Sequence, residues 1–121
     1  MFKVIIAGSR DFRDYERLKK VCDSLLANRF KEGVTIISGT ARGADSLGER
    51  YANKRGLKLI QMPAEWEKYG KSAGYRRNEK MAKEAGPGGG LIAFWDGSSR
   101  GTKNMIEIAQ KHGLAVRVIR Y

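Results

Sequence analysis

Short apolar runs alternate with longer amphipathic segments along this chain of 121 residues. The first run, KVIIA (3–7), is continuous, which predicts a strand buried on both faces of a parallel sheet. The other predicted strands are VTIIS (34–38), LKLIQM (57–62), GLIAFW (90–95) and AVRVIRY (115–121). Strands that alternate with helices predict an α/β fold, a doubly wound parallel sheet of about five strands with helices on both faces.

The segments between these runs carry apolar residues at helical spacing. The apolar face of the first predicted helix consists of Leu18, Val21, Cys22, Leu25 and Leu26. Asp14 is the predicted cap of this helix. The other predicted helices are ADSLGERYANKR (44–55), which ends at Gly56, YRRNEKMAKEA (75–85) and GTKNMIEIAQKH (101–112). The stretch AEWEKYGKSAG (64–74) is predicted to be irregular, and GPGGG (86–90) to connect a helix to a strand.

Length and a hydrophobic content of 41% indicate one domain spanning residues 1–121. No apolar run approaches the roughly 18 residues of a membrane helix, and the apolar stretch at the N terminus is too short for a signal peptide. We therefore expect a cytoplasmic protein that does not interact with a membrane. Cys22, the one cysteine, is expected to be a core residue. With a single histidine, His112, a metal site built on histidine and cysteine is excluded, and no cofactor is predicted.

The charge of the chain favours anionic partners. Lysine and arginine total 24 against 13 acidic residues, which gives a net charge of +11. Nucleotides, nucleic acid and acidic protein surfaces all fit this charge. Many of the lysines fall on predicted helix faces, where they are expected to be solvated. Other cations lie in loops after strands, and these loops matter because ligands of a doubly wound sheet bind at the carboxyl ends of its strands.

Four such loops carry glycine, hydroxyl side chains or arginine: GSRDF (8–12), SGTARGAD (38–45), PAEW leading to GKSAGYRRN (63–78), and WDGSSRGT (95–102). Backbone N–H groups at a helix N terminus and planar guanidinium groups both favour phosphate. The cations expected to converge at this edge are Arg10, Arg42, Arg76, Arg77, Arg100 and Lys103. Each loop also has a structural interpretation, in which glycine ends a strand and serine or aspartate caps a turn.

Taken together, these loops resemble the SLOG superfamily, which includes the LOG nucleotide phosphoribohydrolases and the DprA/Smf proteins. The chain is most similar to the small YspA-type, YpsA-related branch. The segments that carry the resemblance are AGSRDF, SGTARGADSLGERYA, MPAEW, GKSAGYRRNEKM and FWDGSSRGTKNMIEIA. The resemblance implies a Rossmann-like fold that binds a nucleotide or nucleotide-derived ligand at the strand ends, commonly in a homodimer.

The LOG enzymes cleave the N-glycosidic bond of nucleoside 5′-monophosphates, with an R-K-x-x-M helix start and a PGG-x-GT-x-x-E loop. Arg77 matches the arginine of that helix start, and Asn78 stands where the enzymes have lysine. Gly101 and Thr102 match the glycine–threonine pair, but Met105 occupies the position of the catalytic glutamate. A glycosidase needs a carboxylate. Asp96 and Asp45 are the weak candidates that remain, and no catalytic residue is assigned.

Nucleotide binding or sensing is therefore the favoured function. One phosphate-bearing part of the ligand is expected to contact Gly39, Thr40, Arg42 and Gly43, and another to contact Gly101 and Thr102 at the helix N terminus. Arg77 is expected to pair with phosphate, and Trp66 to cover a base. Asp45 or Asp96 would hold ribose hydroxyls. The full set of candidate ligand-binding residues is Gly8, Ser9, Arg10, Ser38, Gly39, Thr40, Arg42, Gly43, Asp45, Trp66, Arg77, Asn78, Asp96, Gly97, Ser98, Gly101 and Thr102.

Two other functions stay open from the sequence. One is hydrolysis of a nucleoside 5′-monophosphate, as in the LOG enzymes, with release of the free base. The other is binding of single-stranded nucleic acid, as in DprA, which the net charge of +11 favours. Against the second, the basic residues are spread over several helices, whereas the four loops are predicted to form a pocket.

Overall fold

The computed structural model describes all 121 residues. Its strands are β1 (Phe2–Gly8), β2 (Val34–Ser38), β3 (Lys58–Gln61), β4 (Gly90–Trp95) and β5 (Ala115–Arg120). Its α-helices are α1 (Tyr15–Leu26), α2 (Ala44–Arg55), α3 (Trp66–Tyr69), α4 (Ala73–Ala85) and α5 (Arg100–Lys111). Short 3₁₀ turns cover Phe30–Glu32 and Gly70–Ser72. All five predicted strands are confirmed, with ends that differ from the prediction by at most one residue.

The strands form one parallel sheet in the order β3-β2-β1-β4-β5. The chain moves outward from β1 to β3 and then returns to the other side of β1 as β4. The strand order therefore reverses between β1 and β4, where Gly8 pairs with Phe94. Ligands of doubly wound sheets bind outside the carboxyl ends of the strands at this reversal. The predicted Rossmann-like α/β fold is confirmed. It indicates that a ligand site would lie at the loops that follow β1, β2 and β4.

The two faces of the sheet pack against different pairs of helices. Val4 and Ile6 of β1 pack among side chains of α1 and α2. Their neighbours Ile5 and Ala7 point to the other face and pack among side chains of α4 and α5. Because both faces are covered, β1 is apolar at every position from Val4 to Ala7. Cys22 is fully buried in the layer of α1, which confirms its prediction as a core residue.

The predicted helix ends are largely confirmed. Asp14 Oδ1 accepts a hydrogen bond from the Arg17 backbone N–H at 3.1 Å, so Asp14 caps α1. Gly56 closes α2 with a left-handed φ of 67°. The apolar face of α1 is narrower than the sequence suggested, because Leu25 is 37% exposed. The GPGGG segment joins α4 to β4, as predicted, and Gly86 caps α4 by donating to the Ala82 carbonyl at 3.0 Å.

The segment between β3 and α4 is more regular than predicted. Trp66–Tyr69 form one helical turn, because the Glu65 carbonyl accepts hydrogen bonds from the backbone of Lys68 at 3.1 Å and of Tyr69 at 3.0 Å. Helix α4 begins at Ala73, two residues earlier than predicted. The prediction of an irregular stretch is therefore wrong over Trp66–Tyr69. None of the helices combines the length and the apolar character needed to cross a membrane.

Candidate functional site

Three loops meet at the carboxyl edge of the sheet, and Ser9 holds them together. Its backbone N–H donates to the Phe94 carbonyl at 2.9 Å, and its backbone carbonyl accepts from Ala44 at 3.3 Å. The Ser9 hydroxyl is buried and accepts a hydrogen bond from the Asp96 backbone N–H at 3.2 Å. Ser9 therefore ties the loops after β1 and β4 and the start of α2 into one unit.

Two glycines allow this close approach of the loops. Gly43 has a φ of 76°, and a Cβ atom there would collide with the backbone oxygens of Ser9 and Arg10. A Cβ atom on Gly39 would lie 2.6 Å from Nη1 of Arg77 and 2.9 Å from Oδ2 of Asp45. The loop after β2 therefore needs glycine at position 43, whereas a side chain at position 39 would displace Arg77 or Asp45, because Gly39 lies between the guanidinium and the carboxylate of the site.

Arg77 lies half-buried near the start of α4. Its Nη1 donates to the Gly39 carbonyl, and its Nε donates to Asn78 Oδ1 at 2.9 Å. Burial lowers the pKa of the Arg77 guanidinium, and the charge of Asp45 opposes that shift. A guanidinium has five N–H donors. The two contacts position the group and leave donors for a ligand.

Asn78 connects this arginine to α5. Its side chain is buried, and its Nδ2 donates to Asn104 Oδ1 at 2.9 Å and to the Gly101 carbonyl at 3.4 Å. The N terminus of α5 is capped by Ser99, whose Oγ accepts from the Thr102 backbone N–H at 3.4 Å. Asn78 therefore holds Arg77 and the first turn of α5 in a fixed relation.

Asp45 is the buried carboxylate of the site. It lies in the first turn of α2, is 5% exposed and accepts a hydrogen bond from the Ala41 backbone N–H at 3.2 Å. Burial raises its pKa to about 6, although the Ala41 N–H and the charge of Arg77 both act in the opposite direction. The carboxyl group therefore changes its protonation state close to neutral pH.

Two adjoining cavities open at this edge, and Arg10, Ala41 and Arg77 line both. The smaller cavity, of about 80 Å³, lies against the start of α5. The predicted site residues that line it are Gly8, Arg10, Asp45, Arg77, Asn78, Gly101 and Thr102. Gly101 has open space where a side chain would be. The smaller cavity therefore combines two arginines, one carboxylate and a helix N terminus.

The larger cavity has a volume of about 350 Å³ and lies between the loop after β2 and the segment after β3. Its lining residues among those predicted are Arg10, Gly39, Thr40, Arg42, Trp66 and Arg77. Trp66 is 51% exposed, and no carboxylate lines this cavity. Thr40 has a left-handed φ of 64°, and its N–H donates to Ser38 Oγ at 3.0 Å. The larger cavity therefore combines three guanidinium groups with an indole ring.

Several predicted site residues do not line either cavity: Ser9, Ser38, Gly43, Asp96, Gly97 and Ser98. The Asp96 carboxylate accepts the backbone N–H groups of Ser98 at 2.9 Å and Ser99 at 2.8 Å, and these bonds lower its pKa. Ser38 is buried and donates to Glu49 Oε2 at 2.7 Å. These side chains hold the loops in place, so Asp45 is the one candidate catalytic carboxylate that faces a cavity.

Only three of the six cations expected at this edge line the cavities, namely Arg10, Arg42 and Arg77. Arg76 instead lies over the Tyr69 ring, 4.3 Å from its centroid, and its Nε donates to Ser72 Oγ at 3.1 Å. Arg100 and Lys103 lie in the first turn of α5, after β4, but like Arg76 they line neither cavity. No three histidine, cysteine, aspartate or glutamate side chains lie close enough together to hold a metal ion.

Sequence reasoning missed some residues of the site. Ala41 supplies the N–H that Asp45 accepts, Glu49 holds Ser38, and Ser99 lines the smaller cavity while capping α5. Pro63 and Ala64 line the larger cavity. Both belong to a loop that the sequence predicts at this edge because it follows a strand, but within PAEW only Trp66 is a predicted site residue.

Comparison with known proteins places the chain in a family. The family YAcAr, described as the YspA, cpYpsA-related SLOG family, matches residues 2–69, which is more than half of the chain. The chain belongs to this SLOG family. The SLOG match runs from β1 to the end of α3, so it includes the loops after β1 and β2 and Trp66. Arg77 and the start of α5 lie beyond the matched residues.

This SLOG chain is also similar to the Gene 61 protein of Mycobacterium phage D29. The two are 34% identical over 122 residues, which cover 96% of this chain and 94% of the phage protein. Because 96% of the chain is covered, that similarity includes α4 and α5, which lie beyond the family match. The resemblance to the YspA-type SLOG branch is therefore confirmed.

Proposed function

We propose that this SLOG protein binds a nucleotide or a nucleotide-derived small molecule in the two adjoining cavities. The observation that carries the proposal is the position of Arg77, whose guanidinium lines both cavities and is held by Gly39 and Asn78. A fixed guanidinium binds phosphate with two parallel hydrogen bonds. Because Arg10 lines the same two cavities, we assign the phosphate to the space between these two arginines.

The start of α5 supports the same placement. The first backbone N–H groups of a helix have no partner within the helix and favour an anion. Gly101 leaves this end of α5 open toward the smaller cavity. Phosphate bound by Arg77 and Arg10 therefore also benefits from the field of the helix.

The nucleoside is assigned to the larger cavity. Its volume of about 350 Å³ lies at the lower end of the roughly 300–1,000 Å³ of small-molecule sites. The half-exposed indole of Trp66 offers the flat apolar surface on which a base stacks. Asp45 would accept hydrogen bonds from hydroxyl groups that reach the smaller cavity.

A second candidate function is hydrolysis of the N-glycosidic bond, and Asp45 is the observation that favours it. A carboxyl group with a pKa of about 6 exchanges its proton near neutral pH, as a general acid or base must. Its position beside Arg77 would put it next to a bound phosphate ester. Since Met105 occupies the position of the catalytic glutamate of the LOG enzymes, binding without hydrolysis remains the primary proposal.

Thermal melting with a panel of ligands tests the proposal. The panel contains AMP, ADP, NAD, ADP-ribose and a single-stranded oligonucleotide, all at one physiological salt concentration. A ligand at a hundredfold excess over its Kd adds about 2.7 kcal/mol of stability. We expect at least one small nucleotide to raise the Tm, the variant Arg77→Glu to lose that shift, and Arg117→Glu, on the exposed part of β5, to keep it.

A shift with the oligonucleotide alone would overturn the proposal in favour of nucleic-acid binding. If a small nucleotide raises the Tm, chromatography of that nucleotide after incubation with the protein distinguishes binding from hydrolysis. Release of free base, lost in Asp45→Asn, would establish the second candidate. Light scattering on the same sample tests for the homodimer that SLOG membership implies.

A further inference from the structure

We infer that the ligand of this site carries two consecutive phosphates, and that Arg42 distinguishes a nucleoside diphosphate from a monophosphate. This inference rests on the proposed function and deepens it. It follows from three observations: the charges of the larger cavity, the different positions of its three arginines, and the carboxylate of the smaller cavity.

Three guanidinium groups line the larger cavity, and only that of Arg77 has its charge opposed by a nearby carboxylate, Asp45. Arg10, Arg42 and Arg77 line it, and no carboxylate does. None of the ion pairs in the structure involves any of these arginines. A phosphate monoester carries about 1.5 to 2 negative charges at pH 7. A diphosphate adds a further charge and a second set of acceptor oxygens, which a third guanidinium can bind.

The three arginines are not equivalent in position. Arg10 and Arg77 line both cavities, whereas Arg42 lines only the larger one. A single phosphate between Arg10 and Arg77 therefore leaves Arg42 without an anionic partner. Arg77 already donates to Gly39 and Asn78, so it offers a second phosphate few remaining donors. Arg42 is the cation available for that second group.

Asp45 decides on which side the second phosphate lies. Its buried carboxyl lines the smaller cavity and, with a pKa of about 6, is mainly ionised at pH 7. A second phosphate in that cavity would lie against a like charge, which is unfavourable. The larger cavity has no such charge. We therefore place the second phosphate in the larger cavity, between the first phosphate and Arg42.

The loop that carries Arg42 is held in place. Thr40 has a left-handed φ of 64°, and its N–H donates to the buried Ser38 hydroxyl at 3.0 Å. Ser38 in turn donates to Glu49 at 2.7 Å. Gly43, on the other side of Arg42, packs against the backbone of Ser9 and Arg10. Both flanks of Arg42 are thus tied to the framework, so its backbone is held beside the larger cavity, which its side chain lines.

Titration calorimetry with AMP and ADP, and with GMP and GDP, tests this inference. Magnesium is left out, because it would neutralise part of the diphosphate charge. For the base that binds, we expect the diphosphate to bind about tenfold or more tightly than the monophosphate. Arg42→Ala should remove most of that difference by weakening the diphosphate about tenfold and the monophosphate less than twofold. Arg117→Ala, which removes the same charge on exposed β5, should change neither.

Some outcomes of these titrations would overturn the inference. Equal affinities of the wild-type protein for monophosphate and diphosphate, or equal losses of both in Arg42→Ala, would contradict it while leaving nucleotide binding intact. Absence of binding by all four nucleotides, together with no Tm shift from NAD or ADP-ribose, would overturn the proposed function as well. Arg42→Lys separates charge from geometry, since lysine cannot make the paired hydrogen bonds. We expect it to fall between the wild type and Arg42→Ala.

Discussion

Arg77 Nη1 donates a hydrogen bond to the backbone carbonyl of Gly39, 38 positions earlier in the chain. This bond joins the start of α4 to the loop after β2 and sets the guanidinium between the two cavities. It also depends on the absence of a side chain at position 39. The site is therefore built from backbone geometry as much as from charge.

Replacing Gly39 should disable the site without unfolding the protein. In Gly39→Ala the new Cβ would lie 2.6 Å from Arg77 Nη1 and 2.9 Å from Asp45 Oδ2, so the side chains must move apart. We expect nucleotide affinity to fall at least tenfold and the far-ultraviolet circular dichroism spectrum to be retained. The control is Gly56→Ala, where φ is 67° and no atom lies within 4 Å of the new Cβ. That variant should lose about 1 kcal/mol of stability and no affinity; the opposite pattern would contradict the role of Gly39.

Asp45→Asn should stabilise the protein at neutral pH. Burial raises the pKa of Asp45 from 3.8 to about 6, so the folded state holds its proton more tightly than the unfolded chain. Stability should therefore fall as the pH rises from about 4 to about 6 and then level off. With roughly 1.4 kcal/mol per pKa unit, the variant should gain up to about 3 kcal/mol at pH 7.5 and nothing at pH 4. Urea unfolding at both pH values measures this, and a variant that is less stable at pH 7.5 would refute it.

Tyr51→Phe should destabilise the protein at neutral pH and have a smaller effect on stability in acid. The buried Tyr51 hydroxyl donates to Asp23 Oδ1 at 2.6 Å, and this bond, with Arg55, lowers the pKa of Asp23. That stabilisation is present above the ordinary pKa of 3.8 and is lost as the pH falls through the lower folded value. We expect a loss of about 1 kcal/mol at pH 7 that shrinks below pH 3. Tyr75→Phe, which removes an exposed hydroxyl, is the control; a loss independent of pH would show that Asp23 is not involved.

Trp66→Ala should weaken nucleotide binding through the base. Stacking on an aromatic side chain contributes about 1–3 kcal/mol per base, so we expect roughly a tenfold or larger loss. Trp66→Phe should retain most of the affinity, and Tyr75→Ala, also about half-exposed but outside the larger cavity, should retain all of it. Unchanged affinity in Trp66→Ala would contradict the placement of the base in the larger cavity. Quenching of tryptophan fluorescence by ligand gives a second readout.

The strands and most helix ends could be predicted because their signals are local. The run GLIAFW (90–95) coincides with β4, and Gly56 ends α2 as its conformational freedom suggested. The turn Trp66–Tyr69 was missed because four residues are too few to show a helical period. The strand order could not be predicted from the sequence pattern either. A buried parallel strand is an apolar run whichever strands pair with it, so the run does not identify its neighbours.

The site was predicted only in part, for a different reason. Asp45 ends a glycine-containing loop after a strand and Asp96 begins one, yet Asp45 faces a cavity whereas Asp96 accepts the backbone N–H groups of Ser98 and Ser99. Similarly, Arg76 and Arg77 are neighbours, but about 100° of helical rotation separates the residue over Tyr69 from the residue at the cavities. Spacing shows which residues reach the edge of the sheet. Tertiary packing decides which of them face the ligand.

Amide chemical-shift mapping with ADP on the isotopically labelled protein tests the location of the site most directly. We predict saturable shifts confined to the carboxyl edge of the sheet, at Gly8, Gly39, Thr40, Gly101 and Thr102. The loop 86–90 at the other end of the sheet and the exposed lysines Lys19 and Lys54 should not shift. Small, non-saturating shifts spread over the lysine-bearing helix faces would mean that the ligand recognises net charge, and would contradict a nucleotide site at Arg77.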